Sequence, residues 1–261
     1  YALGDSEPHY LAVEWHKYPK ACEDIPRVRV CVLDLTGGET VWMETGDPDA
    51  WYLPRVDWLP GGGLAVQRLD RDQSLLEILR CAPDTGACAV WVSESRATWV
   101  DVTNDYHFLP DGRLIWPSER SGWNQLYLVD AAGEVVNAIT ALDGAVTALI
   151  GLDAAGDVIY RGYGGPPLGA LSRQVWRAPL DGSAAERVSG SVGWNDAMLA
   201  PGGRFRVDTT SPPHRLSADS AEPLDGFPEG LLEQVAEERK DRQDEAVVRH
   251  PVAAHHQHAQ H

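Results

Sequence analysis

Met and Phe are scarce in this chain: two Met and three Phe stand against ten Trp in 261 residues. That balance disfavours a helical bundle and suits pleated sheet, where flat aromatic side chains are enriched. Basic residues are outnumbered 22 to 39, for a formal charge of −17. Residues 221–261 hold nine acids and four bases, so body and tail are both acidic. A phosphate backbone would be repelled, and nucleic acid is set aside as a partner. No long apolar run exists either. The longest near-apolar stretch, Gly144 to Leu152, is nine residues and contains Thr147, far short of the ~20 that span a bilayer. The opening Tyr1-Ala-Leu-Gly-Asp-Ser-Glu7 has neither a basic start nor an apolar core, so no signal peptide is visible. A soluble chain is expected, with its compartment left open.

Also missing are the short motifs that mark chemistry. The chain has no G-x-S-x-G elbow, no G-x-x-x-x-G-K-[ST] phosphate loop, no H-E-x-x-H and no G-x-G-x-x-G opening a helix. No catalytic, cofactor-binding or metal-binding residues are therefore assigned, and no cofactor is expected.

What is present is a repeat. Turn glycines follow strand-like runs at Gly38, Gly86, Gly133 and Gly182, spaced 48, 47 and 49 residues apart. A second turn series lies between them, at Pro60-Gly-Gly-Gly63, Pro110-Asp-Gly112, Asp153-Ala-Ala-Gly156 and Pro201-Gly-Gly203. Between turns, runs of strand length recur at Gly63–Gln67, Leu75–Arg80, Leu114–Pro117, Gln125–Val129, Asp157–Arg161 and Gln174–Ala178. Two hairpins per unit make a four-stranded antiparallel meander, the blade of a β-propeller. A sandwich would not need to hold one turn phase over four units. The expected class is all-β: a partial propeller with an outer half-blade at 28–46, full blades at 51–94, 100–140 and 145–190, and an inner half-blade at 193–210. Trp58, Trp116 and Tyr160 fall on inner or central strands. The domain assignment is 1–213 for the propeller and 214–261 for an acidic, then His-rich tail. All ten Trp precede residue 195, and Phe227 is the last aromatic. The tail is expected to be disordered or partly helical, with Glu222 to Arg249 as the helical candidate.

Cys81 and Cys88 flank the turn Ala-Pro-Asp-Thr-Gly-Ala, so strand pairing sets them opposite each other. A disulfide is geometrically open to them; in a reducing compartment they would be two thiols. Cys22 and Cys31 have no such argument, and a C-x6-C spacing without a second pair is poor for zinc. His250, His255, His256, His258 and His261 cluster in a tail with nothing to orient them as ligands. Ser118, Glu119 and Arg120 invite a catalytic reading, but their place on a hairpin within a blade favours contacts to neighbouring backbone.

Eight segments occur in one order: Tyr18-Pro-Lys-Ala21, Val28–Leu35, Tyr52–Trp58, Gln67–Gln73, Thr98–Asp105, Phe108–Gly112, Trp116–Trp123 and Leu126–Leu128. Together they resemble the N-terminal propeller of bacterial dipeptidyl peptidase IV-type enzymes, in the prolyl oligopeptidase family, over roughly 10–213. The resemblance implies an eight-bladed propeller, of which about four blades lie here, capping an α/β-hydrolase domain. It implies release of N-terminal dipeptides with Pro or Ala second, and a propeller that screens substrates by size. In that family adjacent Glu residues of the propeller hold the substrate amine, and the Ser-Asp-His triad lies in the hydrolase domain. Here the match begins downstream of where that Glu pair would be. Glu237-Glu238 lies in the unmatched tail and does not inherit the role. Cys22 stands where a Gly is usual, and Gln125 and Asn195 where His is common.

The expected function follows from the resemblance: the propeller portion of a serine peptidase, acting as scaffold and substrate-access domain. Its partners would be a hydrolase domain in cis or trans, a peptide substrate only in the complete enzyme, and further copies of itself. The alternative is a stand-alone interaction propeller without enzymatic activity.

Overall fold

The computed structural model describes residues 2–4, 13–15, 25–163, 172–190, 193–211 and 218–223. Every regular element among them is a strand. β1 (Ala2–Gly4) pairs antiparallel with β2 (Val13–Trp15). β3 (Cys31–Val32) pairs with β4 (Val41–Trp42) as a separate two-stranded sheet, where the outer half-blade was expected.

The first four-stranded sheet comprises β5 (Trp51–Trp58), β6 (Leu64–Asp70), β7 (Leu75–Cys81) and β8 (Cys88–Ser95), each paired antiparallel with its neighbour in chain order. Burial follows position in the meander. The second strand β6 buries Leu64, Ala65, Val66 and Gln67 in succession, as a strand covered on both faces must, whereas β8 exposes Ala89 and Val90 and buries Trp91 and Val92. Leu64, Val66, Leu79 and Cys81 form one core cluster with Met43, and Val30, Val32 and Val41 pack on it.

The second four-stranded sheet comprises β9 (His107–Phe108), β10 (Leu114–Ser118), β11 (Gln125–Val129) and β12 (Val135–Ala138). Its middle strands are buried throughout. Trp116 is 1% exposed. Next come β13 (Val146–Leu152), β14 (Val158–Tyr163), β15 (Arg173–Ala178) and the short β16 (Glu186–Arg187), again antiparallel. β17 (Trp194–Leu199), β18 (Phe205–Ser211) and β19 (Ala218–Pro223) complete the order.

The inferred meanders are therefore the architecture, with two differences. β19 adds a third strand to the meander that was expected to end as a half-blade at 193–210. A single parallel pair, Arg173 with Trp194, joins the β13–β16 and β17–β19 meanders into one seven-stranded sheet. Arg173 Nε donates to the Asn195 carbonyl at 3.0 Å and Asn195 Nδ2 returns a bond to the Arg173 carbonyl at 3.1 Å, which holds the two strand starts side by side. No sheet among the described residues closes on itself. The chain divides into two compact units, one of residues 1–104, 108–114 and 129–134 and the other of the remainder.

Both turn series have a physical basis. In the hairpins between first and second strands, Gly62, Gly112, Gly156 and Gly203 each donate N–H to a carbonyl three residues earlier, and all four have positive φ. Three of the four glycines of the other series also meet the preceding sheet, Gly38 being the exception with open space around it. A Cβ on Gly86, Gly133 or Gly182 would overlap the carbonyl oxygen of Trp42, Trp91 or Ala138, respectively. Only glycine allows that approach.

Among the sequence candidates, Tyr18–Ala21, Cys22, Glu237-Glu238 and the five tail His residues lie outside the described residues. So does the expected helix, except for Glu222 and Pro223, which end strand β19.

Candidate functional site

The hairpin cysteines are the first pair to locate. β7 ends at Cys81 and β8 begins at Cys88, and the register sets them directly opposite. Their Cα atoms are 4.1 Å apart and their sulfurs are joined. Cys81 is buried in the Met43 cluster. Gly86, in the turn they enclose, accepts a bond from Glu44 N at 2.8 Å, so the clasped hairpin also touches the segment after β4. Cys31 is an exposed free thiol.

Ser118, the last residue of β10, is 4% exposed. Its Oγ accepts from Arg120 N at 3.2 Å and from Arg120 Nε at 2.9 Å, and the Arg120 guanidinium lies 4.8 Å from the Tyr127 ring. An acceptor of two N–H donors is braced within its turn. The Arg120 side chain thus folds back on the Ser118 hydroxyl.

Charge gathers at the ends of β14, β15 and β17. Arg161 and Arg173 share the Asp196 Oδ2, at 2.5 and 3.3 Å. Arg173 lies over the Trp194 ring at 4.8 Å, and Tyr163 meets Trp194 edge-on at 6.3 Å. Burial lowers the Arg173 pKa and the nearby Arg161 charge lowers it further, while Asp196 and Tyr163 oppose them. Burial raises the Asp105 carboxyl, against the pull of Arg161. Two cations sharing one carboxylate in this way can orient a polar surface. Among the described residues no three His, Cys, Asp or Glu side chains gather to hold a metal, and no helix is long and apolar enough to cross a membrane.

An Arg–Trp pair that the sequence reading missed recurs at two neighbouring sheets. Arg29 lies 4.2 Å over the Trp42 ring, and Arg80 lies 3.5 Å over the Trp91 ring. Both tryptophans sit on the outermost strand of their sheet. The signal was available: Val41-Trp-Met43 and Val90-Trp-Val92 are 49 residues apart, and each Trp follows an Arg, by 13 and 11 residues. Another missed repeat is polar. Thr140 Oγ1 donates to Gln125 Oε1 at 2.7 Å and Ser189 Oγ to Gln174 Oε1 at 2.5 Å, all four groups being buried. Gln125 Nε2 continues to the Gly144 carbonyl at 2.7 Å, and Asn195 Nδ2 to Gln174 Oε1 at 3.2 Å. Gln125 and Asn195 thus tie one meander to the start of the next.

Comparison with known proteins supplies the context for this geometry. The family model described as the dipeptidyl peptidase IV (DPP IV) N-terminal region matches residues 1–215. Among solved structures, Porphyromonas gingivalis dipeptidyl peptidase 4 superposes with a TM-score of 0.76 at 24% identity, over 85% of this chain and 32% of that one. A chain described as a dipeptidyl aminopeptidase IV from Bacteroides ovatus gives 0.71 at 21%, over 87% and 35%. The present chain thus spans about a third of either structure's length and shares their fold over that part. With meanders in the expected phase and a family match running from residue 1 to 215, the chain belongs to the family of the dipeptidyl peptidase IV N-terminal region.

Proposed function

We propose that this chain is the propeller portion of a dipeptidyl peptidase IV-like serine peptidase, contributing scaffold and substrate-access surface rather than the reacting groups. The observation that carries the reading is the family match over residues 1–215, on a chain that covers about a third of the peptidase structures it superposes on. Acyl transfer needs an activated nucleophile and donors for the oxyanion. The sequence has no G-x-S-x-G elbow, so both would come from an α/β-hydrolase domain, in cis or in trans. Peptides would be bound only in that complete assembly.

The test is turnover of a glycyl-prolyl chromogenic substrate. The purified chain should give no release above background, because loss of a triad costs about a millionfold in turnover; the chain joined to its hydrolase domain should give steady release. Release by the isolated chain that scales with protein, is abolished by a serine-directed phosphonate and disappears in Ser118→Ala would overturn the proposal. If no hydrolase partner exists and the chain captures a protein ligand instead, the stand-alone interaction propeller is the correct reading.

A further inference from the structure

We propose that a cavity beside Arg80 binds a small organic anion: a monocarboxylate carrying one ring-sized apolar body. The cavity has a volume of about 210 Å³ and lies wholly within one compact unit. Leu59, Trp91, Phe108 and Leu109 give it apolar walls, and Arg80 and Arg113 give it charge. Trp91 and Phe108 stack 6.0 Å apart at an interplanar angle of 25°, a flat wall suited to a ring.

Arg80 is what calls for an anion. It stacks on Trp91 at 3.5 Å and donates to two neutral acceptors, the Ala131 carbonyl at 3.0 Å and the Gly112 carbonyl at 2.7 Å. Its Nε is buried and makes no hydrogen bond. Arg68, Arg177 and Arg206 each sit against a carboxylate, but no carboxylate pairs with Arg80 among the described residues. Burial lowers its pKa with nothing charged to offset it. Arg113 differs, since Asp111 already holds it at 2.7 Å. The cavity therefore has one uncompensated cation in a chain whose net charge is −17. An uncompensated, partly desolvated charge gains most from a carboxylate, which supplies both the counter-charge and hydrogen-bond acceptors. Pockets for drug-sized ligands run to about 300–1,000 Å³, so this smaller one selects a single ring or short branched chain. The site stands apart from the peptidase reading and does not depend on it.

The probe is 3-phenylpropionate, with 3-phenylpropionamide as the neutral isostere, titrated into the full chain and followed by saturation-transfer NMR and by the Trp91 indole N–H resonance, assigned with Trp91→Phe. The acid should bind about tenfold more tightly than the amide, the difference a charge-assisted bond makes. Arg80→Gln should abolish that preference. Because Arg80 also braces two carbonyls, Leu59→Trp is the second variant: it fills the cavity and leaves Arg80 in place, and acid binding should be lost. Arg113→Gln should change affinity by no more than about threefold, as expected of an exposed pair. Equal binding of acid and amide, undiminished acid binding by Leu59→Trp, or no binding to the folded chain at about 10 mM would each overturn the assignment.

Discussion

Replacing Gly133 by Ala isolates the contact that sets one meander against the next. Gly133 has φ +93°, and a Cβ there would overlap the Trp91 carbonyl oxygen, lie 3.0 Å from the carbonyl carbon and 3.2 Å from Cδ1 of the indole. Gly112 is the matched control, with φ +87° and nothing nearer its Cβ than the Ala131 methyl at 3.8 Å. Both substitutions pay for left-handed backbone, about 1–2 kcal/mol. Both regain the same unfolded-chain entropy, about 0.4–1 kcal/mol, so these effects cancel in the difference. What remains for Gly133→Ala is displacement of a backbone carbonyl from a packed strand, which should bring the total to about 4 kcal/mol. The expected gap between the variants is at least about 2 kcal/mol, or about 1 M in urea midpoint at a slope near 2 kcal/mol/M. Urea unfolding followed by tryptophan fluorescence gives the midpoints. Equal midpoints for Gly133→Ala and Gly112→Ala would refute the idea that the turn glycine exists for the inter-sheet contact rather than for its own φ.

Three further outcomes are expected. Non-reducing peptide mapping of chain made in an oxidising compartment should recover Cys81 linked to Cys88, and Cys81→Ser with Cys88→Ser should cost about 2–3 kcal/mol for so short a loop; two free thiols in such material would contradict this. Burial holds the His107 pKa below its ordinary value, so the unfolded chain takes up more protons. Stability should fall as pH drops through about 6.5 and level off below the folded pKa, and His107→Gln should flatten that slope; an unchanged slope would show that another group carries it. Light scattering on the isolated chain should show self-association, since Trp58 and Trp99 are 62% and 64% exposed and about 400 Å² of uncovered apolar face is worth about 10 kcal/mol; a monodisperse monomer with a sharp thermal transition would count against it.

How much of this was legible in the sequence depended on whether the information was local. The hairpins between first and second strands were legible because Pro110-Asp-Gly112 and Asp153-Ala-Ala-Gly156 encode their turns within a few residues. Strand runs followed from them, and β10 and β11 agree with the expected limits to within a residue. Contacts between one meander and the next were not legible. That Gly133 faces the Trp91 carbonyl and that Gln125 reaches Gly144 are consequences of how successive meanders stack, which no window of adjacent residues records. The parallel pair between Arg173 and Trp194 was hidden for the same reason. It depends on side-chain bonds between two strand starts, and the turn phase alone predicts separate blades. Arg80 was passed over because its distinguishing feature is a missing partner, which only coordinates disclose.

The central claim, a propeller portion whose catalytic groups lie elsewhere, is tested most directly by sequencing the transcript that encodes the chain outward in both directions. The account predicts an α/β-hydrolase segment with a Gly-Trp-Ser-Tyr-Gly-Gly-like elbow, in the same frame or in an adjoining one whose product co-purifies with this chain. A transcript with no such segment, together with the absence of any co-purifying serine hydrolase, would contradict it.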